Sequence, residues 1–472
     1  MHFAFLIPNK KLIYLMIHST SIGLFLKFSF ERKIVLLLIL FLSWHSGNSQ
    51  INLTATGGTT TATYFTLGTA FAAIDSGTHT GVIVILITGN TTETSSATLI
   101  ASGTSNASYS SILISPSGGV ARSITGNISG LPLIDLNGAD NVLINGLNTG
   151  GNSLTFENQS TSATSTSTIR FINDACGNKI QNCTILGGAS SLVSGTIMFS
   201  TAKSTGTSIG NDNDTISNCT LDASGSNLPW NSILCFGTPT IGKENSGINI
   251  MNNNIANFFS VNTQSYGILD TVGGTAWTIT GNKFYQSSTR TYTAPRTHSA
   301  ICILNGDGFT INGNTIGYAS QNSTGVYSMS GNNVIRFVGM RLMFDTLLTN
   351  IINNNRFSKI SLTTTTTQTY PDGSIKCINL NSGIAIISNN TFGDTIGTES
   401  IVNLCSTSGG SITGIHTTSV NNITIINNLF GALKVIGGIG SARSGVVGIN
   451  IFEYGSQVVF KNNIIGRIDL NV

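Results

Sequence analysis

Charge is the first thing this sequence lacks. Asp, Glu, Lys and Arg together make up 9% of 472 residues, so ion-pair networks are not what holds the chain together. Residues 1–49 hold five of the 22 basic residues and one of the 19 acids. The rest therefore carries 17 and 18, a net charge of −1 with His neutral. No basic stripe remains to follow a nucleic-acid backbone, which excludes nucleic acid as a partner. Histidine is as scarce. Beyond residue 49 there are only His79, His298 and His416, far apart, and no His-x-x-x-His or Cys-x-x-Cys spacing suggests zinc. Carboxylates are few in the loops, where paired-carboxylate glycoside hydrolysis would need two of them facing each other. No cofactor is implied. One minor alternative is calcium at Asp212 and Asp214 in GNDNDT, which alternate as in a calcium loop without completing a ligand set.

What the chain does have is one short phrase, repeated nine times. It reads IQNCTI from Ile180, ISNCTL from Ile216, IMNNNI from Ile250, ITGNKF from Ile279 and INGNTI from Ile311. It returns as INNNRF from Ile352, ISNNTF from Ile387, IINNLF from Ile425 and FKNNII from Phe460. Successive starts lie 29 to 41 residues apart, the signature of a solenoid. Positions one and six are always apolar. Position three is only Asn or Gly, the residues that enter the left-handed backbone region at low cost, so the chain bends there. Position four is Asn or Cys and never Gly, which suggests a small, partly buried slot. Equivalent asparagines one rung apart would then bond as a ladder. Each phrase follows a second strand-like run, such as GTIMFS, NSILCF, HSAICIL, GSIKCINL or GVVGINIF. A rung is thus strand, turn, strand, Asn corner, short strand and loop. Ordering about 35 residues costs roughly 1–2 kcal/mol each. A few inward Ile or Phe side chains return only about 1.5–3 kcal/mol apiece, so single rungs must stack to be stable.

This pattern resembles the right-handed parallel β-helix family, the pectate-lyase-like fold. The resemblance implies an all-β, single-stranded, right-handed parallel β-helix. Spacing alone leaves a left-handed coil open, although the handedness of parallel crossovers favours the same answer. The stretches AFAAIDSGTHTG, TGNTTET, LIDLNGADNVLINGL and TIRFINDACGNKIQNCTI also resemble a module of secreted or surface proteins exported by the bacterial type IX system. Such proteins typically end in a C-terminal sorting domain. The resemblance implies an extracellular or outer-surface location, and further C-terminal domains that this sequence does not show.

In chain order, residues 1–49 form a leader. Glu31-Arg32-Lys33 precedes an apolar run, Ile34 to Leu42, too short to span a bilayer, with a plausible cleavage after Ser49. An uncleaved anchor is the alternative, and no stable membrane span is expected once the leader is removed. Residues 50–80 are a linker and N-terminal cap, with an amphipathic helix over Phe65 to Asp75 covering the first rung. Residues 81–472 are the β-helix, about 11–12 rungs, expected to be truncated at its C-terminal end. Cys183 and Cys219 share one slot and should stack as free, buried thiols.

The variable loops follow position six and so emerge on one side. They carry Trp230, Tyr266, Tyr285, Arg290, Tyr292, Arg296, His298 and Tyr370. Aromatic faces beside Arg and amides suit a neutral or acidic glycan, and insertions of this kind commonly build a binding face. The alternative is that these rings only shield the strands beneath. The resulting expectation is a secreted or cell-surface scaffold for adhesion or glycan binding, without catalysis. Its rivals are a polysaccharide lyase or glycoside hydrolase on the same face, and a plain structural stalk.

Overall fold

The computed structural model describes residues 15–19, 22–26, 49–200, 210–365, 373–394, 400–406, 409–437, 444–452 and 457–471. Two units are distinct, 1–49 and 50–472. Of the first, the described part is one antiparallel pair, Leu15–Ser19 with Ile22–Leu26. The leader's apolar run lies outside the described residues.

The second unit is an all-β parallel solenoid. Among the described residues its first sheet has eleven strands, its second fourteen and its third twelve. One rung shows the plan. Thr297–Ile303 lies in the first sheet. The chain turns into Thr310–Asn312 of the second, bends at Gly313 and continues as Thr315–Gly317 of the third. The bend falls where the repeated phrase puts it. Asn182, Asn218, Asn252, Gly281, Gly313, Asn354, Asn389, Asn427 and Asn462 all have φ between 52 and 69°. Positions one and six point inward, and from Ile180 to Phe430 every one of them is buried. Like side chains stack on like: Phe357, Phe392 and Phe430 lie ring over ring, with centroids 5.2 and 4.6 Å apart.

Position four is a one-way amide ladder. Asn282 donates its backbone N–H and its Nδ2 to Asn314 Oδ1, at 2.9 and 3.0 Å. Its Nδ2 also donates to Ile250 O at 2.7 Å. The same set recurs from Asn253 through Asn282, Asn314, Asn355 and Asn390 to Asn428, with Asn463 the last acceptor. Cys219 starts the ladder: its N–H donates to Asn253 Oδ1 and its thiol stands 3.6 Å from Ile180 O, where the amides donate above. Cys183 and Cys219 are both buried and free.

Two features differ from the sequence-based expectation. The stretch taken as a linker is a β-hairpin, Ile51–Gly58 with Thr61–Tyr64. It pairs antiparallel to His79–Ile87 and closes the second sheet. Its Ile51 and Leu53 alternate inward, but Thr and Gly dominate the composition and mask the period of two. The helix is present, over Leu67–Asp75 with Thr66 as N-cap, and buries Leu67, Ala70, Phe71 and Ile74. Glu93, from the third sheet, accepts from Leu67 N at 2.8 Å and Gly68 N at 3.1 Å. Those donors are orphans at any helix start. Glu93→Ala should therefore lower stability by about 3 kcal/mol, seen as a reduced thermal midpoint and faster amide exchange in the first helical turn.

The second difference is a fourth sheet. The variable loops of the later rungs contribute Arg290–Tyr292, Tyr327–Gly331, Ile360–Thr364, Ile401–Cys405, Leu433–Ile436 and Ile468–Asn471, all parallel. Tyr327, Ile360, Leu362, Ile401, Leu433 and Val435 join the main core.

Candidate functional site

Arg290 and Tyr292 lie in the fourth sheet, Tyr266 and His298 in strands of the first and Tyr285 in one of the third, and all five are buried. This corrects the expectation of a ligand-facing loop for these five. Trp230 is half-buried and Arg296 exposed, and Tyr370 lies outside the described residues. His298 stacks on Phe258 at 5.0 Å. Its Nδ1 meets Ser265 Oγ at 2.7 Å and its Nε2 meets Tyr327 Oη at 2.5 Å. Burial, with a smaller push from Arg290, lowers its pKa to about 3. The ring is therefore neutral at ordinary pH. Arg290 donates its Nε to Gln286 Oε1 at 2.5 Å and its Nη2 to Asn257 Oδ1, and its guanidinium lies 5.8 Å from the Phe259 ring centroid. The cluster resembles a Ser–His pair on paper, but His298 and Ser265 are wholly enclosed. It joins the fourth sheet to the first as a polar seam.

A different set of side chains points away from the main core, most of it covered: Asn379 and His416 are buried, while Arg341 and Asn450 are half-buried. Along the first sheet, one column takes one residue from each rung: Thr98, Asp135, Arg170, Met198, Leu234, Leu269, Cys302, Arg341, Asn379, His416 and Asn450. Their chain neighbours on either side point into the core, as the alternation of a strand requires. Unlike the phrase positions, this column keeps no one residue type along its length, so the architecture does not dictate it. Its first part is an enclosed bidentate pair, in which Arg170 Nε and Nη2 each donate to Asp135 at 2.7 Å. Next comes a small buried apolar cluster, separate from the main core, of Met198, Leu234, Leu269 and Cys302 with Tyr266.

The last part is polar and basic. Arg341, Asn379, His416 and Asn450 stack at the rung spacing of about 4.8 Å. Lys376 lies on the same strand as Asn379, paired with Thr413. Asn450 Nδ2 sits 2.9 Å from His416 Nδ1. Asn379 donates its Nδ2 to Asn381 Oδ1 at 3.0 Å, while its Oδ1 and the Thr413 hydroxyl are buried without a hydrogen-bond partner. Buried polar groups without partners are uncommon and call for an explanation. Among the described residues, the one carboxylate of the column is Asp135, already held by Arg170. The sequence could not mark this column because it has no period.

The acids singled out for calcium do not act as a pair. Asp212 Oδ1 accepts from Ser246 N at 3.1 Å and from its hydroxyl, toward the next rung. Asp214 is buried and accepts from Asn178 N and Nδ2 at 2.8 and 3.0 Å, toward the rung before. Burial raises the Asp214 carboxyl well above the usual range. Asp212 instead lies near Asp174 and the Cys176 thiol, with ligand atoms within 4.8 Å of one another.

No protein-family model matches the chain, and neither does any curated protein. Solved structures do. PfbA, a surface adhesin of Streptococcus pneumoniae, is 13% identical, with 83% of this chain and 88% of that one covered and a TM-score of 0.39. The Agl-KA catalytic domain is 13% identical over 81% and 64%, with a TM-score of 0.34. A mannuronic acid specific polysaccharide family 6 lyase from human gut microbiota is 11% identical over 76% and 86%, with a TM-score of 0.27. These likenesses concern the fold alone. The class is that of all-β parallel solenoids. No helix among the described residues is long and apolar enough to cross a membrane.

Proposed function

We propose that this protein is a secreted or surface-exposed scaffold that binds an anionic polysaccharide along the outer face of its first sheet, without cleaving it. The observation that carries this reading is the half-buried Arg341 stacked on Asn379, with Asn379 Oδ1 and the Thr413 hydroxyl unpartnered. The Arg341 guanidinium, with amides one rung away, suits an extended chain with recurring carboxylate or sulfate groups and hydroxyls. The leader-like start of the sequence supports the extracellular setting.

A hydrolase on this face would need two opposed carboxylates, and the described column offers one, already paired. A lyase would work with fewer acids, so product formation is the deciding measurement. The test is affinity electrophoresis and calorimetry against polyuronate, sulfated and neutral polysaccharides, with reducing ends and unsaturated product followed in the same samples. Binding to the acidic polymers without product is expected. Arg341→Ala should weaken it at least tenfold, about 1.4 kcal/mol, with the thermal midpoint nearly unchanged because this side chain is only half-buried. Accumulating product would establish the enzyme instead. Undiminished affinity in the folded variant would move the site elsewhere.

A further inference from the structure

We propose that Cys183 and Cys219 form a redox-closable staple between two neighbouring rungs. They are free thiols in this structure, and they join as a disulfide when the chain folds in contact with an oxidising disulfide.

The register sets the two residues beside each other. Ile180 pairs with Ile216 and Gln181 with Ser217 on one side of them, and Thr184 pairs with Thr220 on the other. Both follow a left-handed bend, Asn182 at φ 57° and Asn218 at φ 52°. Their Cα atoms are therefore one rung apart, about 4.8 Å, inside the roughly 4.4–6.8 Å that a disulfide spans. The side chains share one orientation. Each sulfur stands 3.2 Å from the carbonyl two residues before it, Gln181 O and Ser217 O. The Cys219 sulfur also comes within 3.6 Å of Ile180 O, in the rung of Cys183. The Cys183 thiol is raised well above its usual pKa by burial and by its hydrogen bond with the Cys219 thiol, so the two groups touch. Closure needs rotation about the two Cα–Cβ bonds and a small approach of the Cβ atoms, which prefer about 3.5–4.5 Å.

Other cysteines lack such a neighbour. Cys235 stands between Phe199 and Asp270, Cys302 between Leu269 and Arg341, and Cys405 beside Thr364. The position within the ladder gives the pair a purpose. From Asn253 onward each amide ties its rung to the next, and Cys183 and Cys219 fill the two slots before that first Asn. A thiol has no second donor to bridge both ways as an amide does. A disulfide restores a tie between these two rungs.

The step balances. The two thiols lose two protons and two electrons and an S–S bond forms between them. The S–S bond of the oxidant, a small-molecule disulfide or that of a thiol oxidoreductase, breaks to give two thiols. Both side chains are at most 1% exposed once folded. Exchange therefore precedes closure of the rung, and the finished bond is shielded from reductants. An exported chain, the setting proposed above, meets such oxidants on its way out.

The test is to produce the full chain twice, once in a reducing cytoplasm and once exported into an oxidising compartment, then denature each sample and alkylate its thiols. In the exported sample Cys183 and Cys219 should escape alkylation, and a non-reducing digest should give one peptide pair joining them, lighter by two hydrogens. The exported protein should also unfold a few degrees higher than the cytoplasmic one. Cys183→Ser with Cys219→Ser should remove that difference. Alkylation of both residues in the exported protein would overturn the proposal, and so would a digest that joins either of them to a different cysteine.

Discussion

Asn390→Leu is expected to prevent folding, whereas Asn389→Gly, one residue earlier, should leave the thermal midpoint nearly unchanged. The two asparagines are adjacent and of one type, but they face different surroundings. Asn390 is fully buried. Its Oδ1 accepts from Asn355 N and Nδ2 at 2.9 and 3.0 Å, and its Nδ2 donates to Ile352 O and Asn428 Oδ1, both at 3.0 Å. Leu would leave the Asn355 N–H and one of the two Asn355 amide hydrogens without acceptors, and the Ile352 carbonyl without its amide donor, inside the core. Each such group costs about 1–3 kcal/mol, so the loss is on the order of 3–9 kcal/mol. That rivals the roughly 5–15 kcal/mol of net stability typical of a folded domain. Asn389 instead sits at the bend, with φ 55°, and its amide donates to Asn353 Oδ1 at 2.9 Å on the exposed surface. Gly281 and Gly313 already fill the same slot at φ 69 and 63°. Glycine there costs mainly chain entropy, about 0.5–1 kcal/mol. Soluble yield and thermal unfolding check the pair, and equal effects would show that bend and ladder have been interchanged.

The contrast between these neighbours was legible in the sequence because each role recurs nine times with one tolerated alphabet: Asn or Gly at the bend, Asn or Cys at the ladder. Repetition made structure visible and hid nearly everything else. Strands of the fourth sheet such as Arg290–Tyr292 and Tyr327–Gly331 lie in the part of each rung whose length varies, so they share no fixed offset from the phrase. Aromatic and basic residues gathered there look like a binding loop until the strands pair and enclose them. The outer column failed to register for the opposite reason. Arg341, Asn379 and His416 are 38 and 37 residues apart, and nothing in their chemistry repeats. Only the register of the first sheet brings them together. Positions that build a solenoid repeat, and positions that use it differ from rung to rung.

Asp270→Asn is expected to stabilise the protein above neutral pH and to leave it little changed near pH 4. Asp270 stands in the inward row of the first sheet, paired in register with Cys235 below and Ile303 above. It is fully buried, and neither carboxylate oxygen makes a hydrogen bond. Gly274 closes over it; a Cβ there would lie 2.3 Å from Asp270 Oδ2. Burial raises the Asp270 pKa from 3.8 to about 7, opposed in part by the Cys235 thiol and the backbone at Gly274 and Val272, and reinforced by Asp345. The sign follows directly. Below pH 4 the carboxyl is neutral in both the folded and unfolded chain and contributes nothing. Between about pH 4 and pH 7 the unfolded chain releases the proton while the folded chain keeps it, so stability falls as pH rises. Above about pH 7 both forms are ionised and the loss is complete, roughly 4 kcal/mol at 1.36 kcal/mol per unit. Asn at this position removes the ionisation. Subtracting wild-type from variant stability should therefore give a curve near zero at pH 4 that climbs to a plateau by pH 8. Asp270→Val, which matches the aliphatic row, should trace the same rise from a different baseline. Urea unfolding at each pH measures both curves. A difference that stays flat from pH 4 to pH 8 would mean that Asp270 is solvated, and that the rung around it opens more readily than its neighbours.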